Sequence, residues 1–268
     1  MNPEFKYFLL LNPEPWILNL LIDLHYLPSI EYFIVLKNFN RIELEQHEHY
    51  VKQSYRNRCF INTAQGVQML VVPVTHKSGK TILKDVQIDN SFRWRNNHWR
   101  TLESAYRKAP YYEHYAEDLK KILLTPQQFL VDLNFALLSF CLKSLRLKPE
   151  LAGSMAYQQT ATPGYLDYRT AIQAKIPYSS RKLYQPAQYY QIFGNQFVPN
   201  LSLVDLLFCT GPTAGSILAA SQYKEWTNNF QFVFFSGDYR YREATLVFWI
   251  ITLKLYIYII HYYAKYGS

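Results

Sequence analysis

Cysteine and glycine are both scarce in this chain of 268 residues. The three cysteines, Cys59, Cys141 and Cys209, stand far apart, are odd in number and include no C-x-x-C pair. That spacing points away from a disulfide framework or a structural zinc site and fits a reducing compartment. Nine glycines are too few for a collagenous or glycine-rich chain. None falls in a phosphate-cradling loop or a G-x-S-x-G elbow, which leaves standard nucleotide-loop and hydrolase readings weak. The N-terminus also reads as a poor secretory signal: Glu4, Pro13, Glu14 and Pro15 interrupt the apolar patch near Met1, and no small-residue cleavage site follows.

Aromatic residues are plentiful by contrast, with 24 tyrosines and 17 phenylalanines in a chain that is 49% hydrophobic. A chain of this length and composition buries a full core. The formal charge of +8 favours an anionic partner, whether a phosphorylated metabolite, nucleic acid or an acidic membrane face.

Local patterns set the expected elements. Leu18 to Leu24 reads as a buried strand, and Pro28 introduces SIEYFIVLKNF, whose apolar spacing suits a short helix. RIELEQHEHY alternates as a strand does, QSYRNRCFINT and VQMLVVPV flank a break at Ala64 to Gly66 as a hairpin, and TILKDVQI reads as a further strand. From Asn90 the period becomes helical: two paired helices meet across Pro110, and a longer one runs from Thr125 to Arg146. Gly153 to Pro186 is loop-rich, and LSLVDLLFCT forms a last helix closed by Gly211. The expected class is α/β, a mixed sheet with an N-terminal β-α-β and hairpin part, flanking helices and a loop-rich second half.

The run from Ala244 to Ala264 stands apart, being close to the roughly 20 apolar residues that cross a bilayer. Lys254 in its middle costs on the order of 3 kcal/mol at the bilayer centre, so a packed helix or an out-of-frame tail competes with an anchor. Any membrane association is expected through this tail alone.

Several constellations could carry chemistry. On one strand, Glu43, Glu45, His47 and His49 would share a face. They could bind a metal, but a solvated polar face explains the alternation as well, and no metal is assigned; Glu45 is the acid/base candidate. Lys52, Arg56 and Arg58, with Asn57 pointing oppositely, could hold phosphate or carboxylate, or simply form a basic strand edge. The segment FRWRNNHWRTLESAYRKAPYY interleaves basic and aromatic residues; Trp94 and Tyr106 read as core, while His98 or Arg100 could serve a site. No nucleic-acid module signature accompanies it, which disfavours a nucleic-acid partner.

Taken in order, LHYLPSIEYF, IELEQHEHYVKQSYRNRC, MLVVPV, DVQI, WRNNHWRTLESAYRKAPYYEHYAEDL and FVPNLSLVDLLFCTGP resemble successive blocks of the WbqC-like family. The resemblance divides the chain into an extension over 1–19, a family-like domain over 20–220 and an apolar extension over 221–268. It implies a cytoplasmic bacterial protein tied to O-antigen or surface-polysaccharide gene clusters. The positions it carries over are Tyr26, Pro28, Glu45, Tyr50, Lys52, Arg56, Asn57, Arg58, His98, Trp99, Tyr106, Pro199, Asn200 and Asp205. The expected activity is a transferase acting on a nucleotide-linked sugar by acyl or aminoacyl transfer. In it Glu45 or His98 moves a proton, and Lys52, Arg56, Asn57, Arg58, Tyr26 and Asn200 bind substrate. No motif names a cofactor. The alternative is a non-catalytic binding or assembly protein of the polysaccharide machinery. The opening strand, turn and helix also resemble Rossmann-like nucleotidyltransferases, although His25 stands alone where those enzymes carry paired histidines.

Overall fold

The structure, a computed structural model, describes residues 19–75, 81–162, 164–181 and 183–223. They all fall within one compact unit that closes at Lys224. The first eighteen residues and the aromatic tail, with its membrane question, lie outside the described residues.

The centre is a parallel sheet of four strands. Strand β1 (Asn19–Asp23) leads through helix α1 (Ile30–Leu36) to β2 (Arg41–Glu45), and β5 (Glu150–Gly153) and β6 (Tyr165–Asp167) arrive much later in the chain. Their order across the sheet is β5-β2-β1-β6. The chain therefore winds outward from β1 on one side and then crosses to place β6 on the other. That is the order in which a crevice opens at the carboxyl ends of the strands, between β1 and β6.

Period two divides the sheet into unlike faces. Leu20, Ile22, Ile42 and Leu44 are at most 3% exposed and enter the main hydrophobic core. The alternate positions are Leu21 and Asp23 on β1, paired with Glu43 and Glu45 on β2. A parallel sheet covered by helices on both faces reads as continuous aliphatic strands, and this one does not. Its polar face is covered instead by the segment after β5, which supplies Ala156, Gln158 and Thr162 over Leu21, Glu43 and Glu45.

Between β2 and β5 the chain inserts an antiparallel hairpin, β3 (Arg58–Thr63) and β4 (Gly66–Val71), and three helices, α2 (Trp94–Tyr106), α3 (Tyr112–Leu124) and α4 (Leu130–Ser144). The short α5 (Tyr178–Arg181) precedes β7 (Tyr184–Gln185), then α6 (Leu203–Thr210), α7 (Ala214–Ala220) and β8 (Gln222–Tyr223). The mixed α/β class, the opening strand, helix and hairpin, the paired helices and the loop-rich second half are all as the sequence patterns anticipate.

Two local expectations fail. The alternation over 41–50 does not continue as one strand: β2 stops at Glu45, where the carboxylate accepts from the backbone N–H groups of His47 (2.7 Å) and Glu48 (3.2 Å) and so caps a turn. Glu43, Glu45, His47 and His49 thus do not share a face. The run 81–88 is a 3-10 turn over Leu83–Asp85 with isolated bridges to His49, Val74 and Phe129, so Leu83, Val86 and Ile88 are buried without a regular ladder.

One described helical run, Leu203–Ala220, is long and apolar enough to cross a membrane by length and composition, but 61% of it is buried inside the unit. Gly211 breaks it with φ +55°. A core element explains it fully.

Candidate active site

The carboxyl edge of the sheet gathers charge that is almost wholly removed from water. Asp23 ends β1 at 5% exposure, Glu45 ends β2 at 1%, and Ser154 follows β5 at 1%. Arg56, 1% exposed, reaches in from the turn before β3: its Nη2 lies 3.0 Å from Asp23 Oδ2 and 2.5 Å from Glu48 Oε2. Arg169, just past β6, holds Asp167 with two nitrogens (Nε 3.0 Å, Nη2 2.6 Å) and extends Nη1 to Glu45 at 3.3 Å. Ser154 donates its hydroxyl to Glu45 (2.9 Å).

These bonds leave the two buried carboxylates in different states. Glu45 accepts from Ser154, Arg169 and two backbone N–H groups, so its lone pairs are engaged. Asp23 uses only Oδ2, toward Arg56 and the N–H of Thr170 (3.4 Å), while Oδ1 is buried without a partner. Burial raises the Asp23 pKa, and Arg56 opposes that shift only in part. Thr170 itself sits at φ +60°, an uncommon backbone for a β-branched residue.

His25, two residues beyond Asp23, is 2% exposed and also has an unpartnered Nδ1. Its ring lies 5.4 Å from Tyr55 and 4.9 Å from Tyr32. Burial, with Arg56 and then Arg181, lowers its pKa to about 3, so the ring is neutral. A buried carboxylate oxygen and a buried imidazole nitrogen without partners are groups that a further hydrogen-bonding atom can satisfy.

The turn that follows β1 is held from behind. Leu27 has φ +40°, and its carbonyl accepts from the Ser202 hydroxyl (2.9 Å). Asn200, at φ +56°, accepts from the Glu31 N–H (3.1 Å) and donates to its carboxylate (3.0 Å); the fully buried Glu31 pairs with Arg181. Asn200 is thus placed where it orients Glu31 and, through it, Arg181.

The other residues singled out by sequence are distributed as follows. Glu45 and Arg56 meet in the strand-edge cluster. The expected common face of Arg56 and Arg58 does not form, because β3 begins at Arg58 and leaves Arg56 and Asn57 in the preceding turn. Asn57 donates to the Val72 carbonyl (2.9 Å), Arg58 lies against Met69 Sδ (3.5 Å), and Lys52 is exposed on the loop after β2. Tyr26 is fully buried and hydrogen-bonds His98 Nδ1 at 2.9 Å. Burial lowers the His98 pKa to about 4, and its neighbours are Tyr26 and Trp94, not the strand-edge charges. Sequence reading passed over Asp23, Glu48, Ser154, Asp167 and Arg169. A carboxylate closing the otherwise apolar strand NLLID was the one local signal, since β1 has no other ionisable residue.

Four carboxylates, Asp23, Glu45, Glu48 and Asp167, face two guanidiniums, Arg56 and Arg169, so the edge is locally acidic in a basic protein. Fold and site together define an α/β protein whose buried charges gather at the carboxyl edge of a parallel sheet. The chain belongs to the WbqC-like protein family, whose model matches residues 24–182. It is also similar to the uncharacterized protein Rv1507c of Mycobacterium tuberculosis, 28% identical over 223 residues that cover 74% of this chain and 96% of that protein. No solved structure matches the chain.

Proposed function

We propose that this protein is a cytoplasmic transferase acting on a nucleotide-linked sugar in surface-polysaccharide synthesis, with its reaction centre at the carboxyl edge of the sheet. The unpartnered Oδ1 of buried Asp23 carries the reading. A sugar amine or hydroxyl reaching this edge would meet a carboxylate that burial makes a stronger base than an exposed one. Glu45, fully engaged, would fix Arg169 and the turn after β2. In acyl or aminoacyl transfer, the acceptor nitrogen forms a bond to the acyl carbon, the bond from that carbon to its leaving group breaks, and the nitrogen's proton passes to Asp23. The neutral His25 ring offers Nδ1 as a hydrogen-bond partner to the acceptor.

The local charge balance favours the sugar end of the substrate at this edge, because both guanidiniums are already held by carboxylates. Isothermal titration of the full chain with a panel of sugar nucleotides tests this. The expected result is saturable binding by those bearing a free sugar amine or hydroxyl, weakened in Asp23→Asn. Silence across the panel from a folded protein would turn the assignment toward an assembly protein that uses no such ligand.

A further inference from the structure

We propose a second binding site, for the phosphate chain of a nucleotide, in a basic cleft at the end of α2. The basic and aromatic segment around Arg100 is not used by the strand edge, and the structure gives it a concave setting. Arg100 and Arg107 are seven residues apart, two helical turns, and so share one face with Ser104 between them. With Lys108 they line one wall of a cleft of about 410 Å³ whose other wall is Ile192 and Phe193. That volume falls in the range of small-ligand sites, about 300–1,000 Å³, rather than that of an extended macromolecular surface.

The cleft is built and not a gap between loose segments. The Asn62 side chain donates to the Phe193 carbonyl (3.1 Å), and its backbone N–H donates to the Tyr106 hydroxyl (3.1 Å). Tyr106 in turn donates to Asp205 (2.8 Å), which also receives the Tyr189 hydroxyl (2.5 Å). Helix, hairpin and the 189–193 wall are therefore tied through one buried carboxylate.

The charges in the cleft are uncommitted. Among the described residues Arg100, Arg107 and Lys108 have no carboxylate within ion-pair distance, whereas Arg56, Arg169 and Arg181 are all paired. Cations at a helix C-terminus complement its dipole, which accounts for Arg107 and Lys108. It does not account for Arg100, two turns earlier. Two guanidiniums on one face match a diphosphate, Glu103 in the same cleft can accept ribose hydroxyls, and the half-exposed Phe193 offers a surface for a base.

This site is separate from the strand edge. None of Asp23, Glu45, Glu48, Arg56, Asp167 and Arg169 lines the cleft. The inference therefore does not rest on the chemistry assigned to Asp23.

Titration calorimetry of the full chain with UDP, ADP and inorganic pyrophosphate tests it, using wild type, Arg100→Gln/Arg107→Gln and, as a control at an exposed cation elsewhere, Lys84→Gln. The expected result is one saturable site for the nucleotides and for pyrophosphate, weakened roughly tenfold or more in the double variant and unchanged in Lys84→Gln. Phe193→Ala should weaken the nucleotides while sparing pyrophosphate. Absence of wild-type binding, or equal affinity in the double variant, overturns the proposal. So does tighter binding of a random single-stranded oligonucleotide that is lost in the double variant. Both arginines are exposed, so the double variant keeps its fold, which circular dichroism checks.

Discussion

Replacing Arg56 with methionine tests whether the strand-edge charges are organised as described. The Arg56 side chain is 2% exposed and separates the side chain of Asp23, 7% exposed, from that of Glu48, 19% exposed. Removing one partner of a buried ion pair costs about 3–5 kcal/mol, because the remaining charge is left uncompensated. Glu48 can regain water and Asp23 cannot, which places the loss near the lower end, about 3 kcal/mol, or roughly 6–12 °C in Tm for a domain of this size. The loss should also depend on pH. Asp23 and Glu48 both have pKa values raised by burial, with Arg56 lowering each in part. The folded state therefore holds these protons more tightly than the unfolded chain, and stability falls as pH rises from the unfolded Asp value of 3.8 through the folded one. Loss of the guanidinium raises the folded values further, so the variant's deficit is greatest at neutral pH and shrinks as the carboxyls protonate. Urea unfolding of both proteins between about pH 4.5 and 7.5 measures it. A deficit below about 1 kcal/mol at the upper end, or one constant across the range, would refute the reasoning.

Glu45→Gln should cost roughly 2–3 kcal/mol in urea unfolding, since it weakens the bond to Arg169 and the turn cap together, and Ser154→Ala should cost less. Tyr26→Phe leaves His98 Nδ1 buried without its hydroxyl partner, with an expected loss of about 1–3 kcal/mol and no change in ligand affinity. Gly211→Ala forces a Cβ into the Tyr111 ring at a positive φ, and should lower Tm more than Gly215→Ala, where the added atom meets nothing. Cys59, Cys141 and Cys209 are buried with thiol pKa values pushed up by desolvation, so a thiol reagent should react slowly with native protein and at once after unfolding.

Period and punctuation carried most of the fold. The apolar run before Pro28, the helical spacing from Asn90 and the stop at Gly211 each reflect backbone rules that operate within a few residues, and each element appears. The failures are tertiary in origin. Nothing local distinguishes RIELEQHEHY as a strand of ten from a strand of five followed by a carboxylate-capped turn; the difference is made by Ser154 and Arg169, more than 100 residues away. The candidate site was legible to the same limited extent. Glu45 and Arg56 stood out by charge, yet Arg56 looked free for phosphate because its partners Asp23 and Glu48 meet it only in the folded chain. The parallel pairing of β1 with β6 is what brings the backbone N–H of Thr170 to Asp23 at the end of the strand.

The most direct test of the central claim is to incubate the purified full chain with a nucleotide-linked amino sugar and an acyl thioester and follow the sugar nucleotide by mass spectrometry. The account predicts a mass gain equal to the transferred acyl group less the hydrogen it replaces, produced by wild type and abolished in a folded Asp23→Asn variant. Turnover undiminished in Asp23→Asn would contradict it.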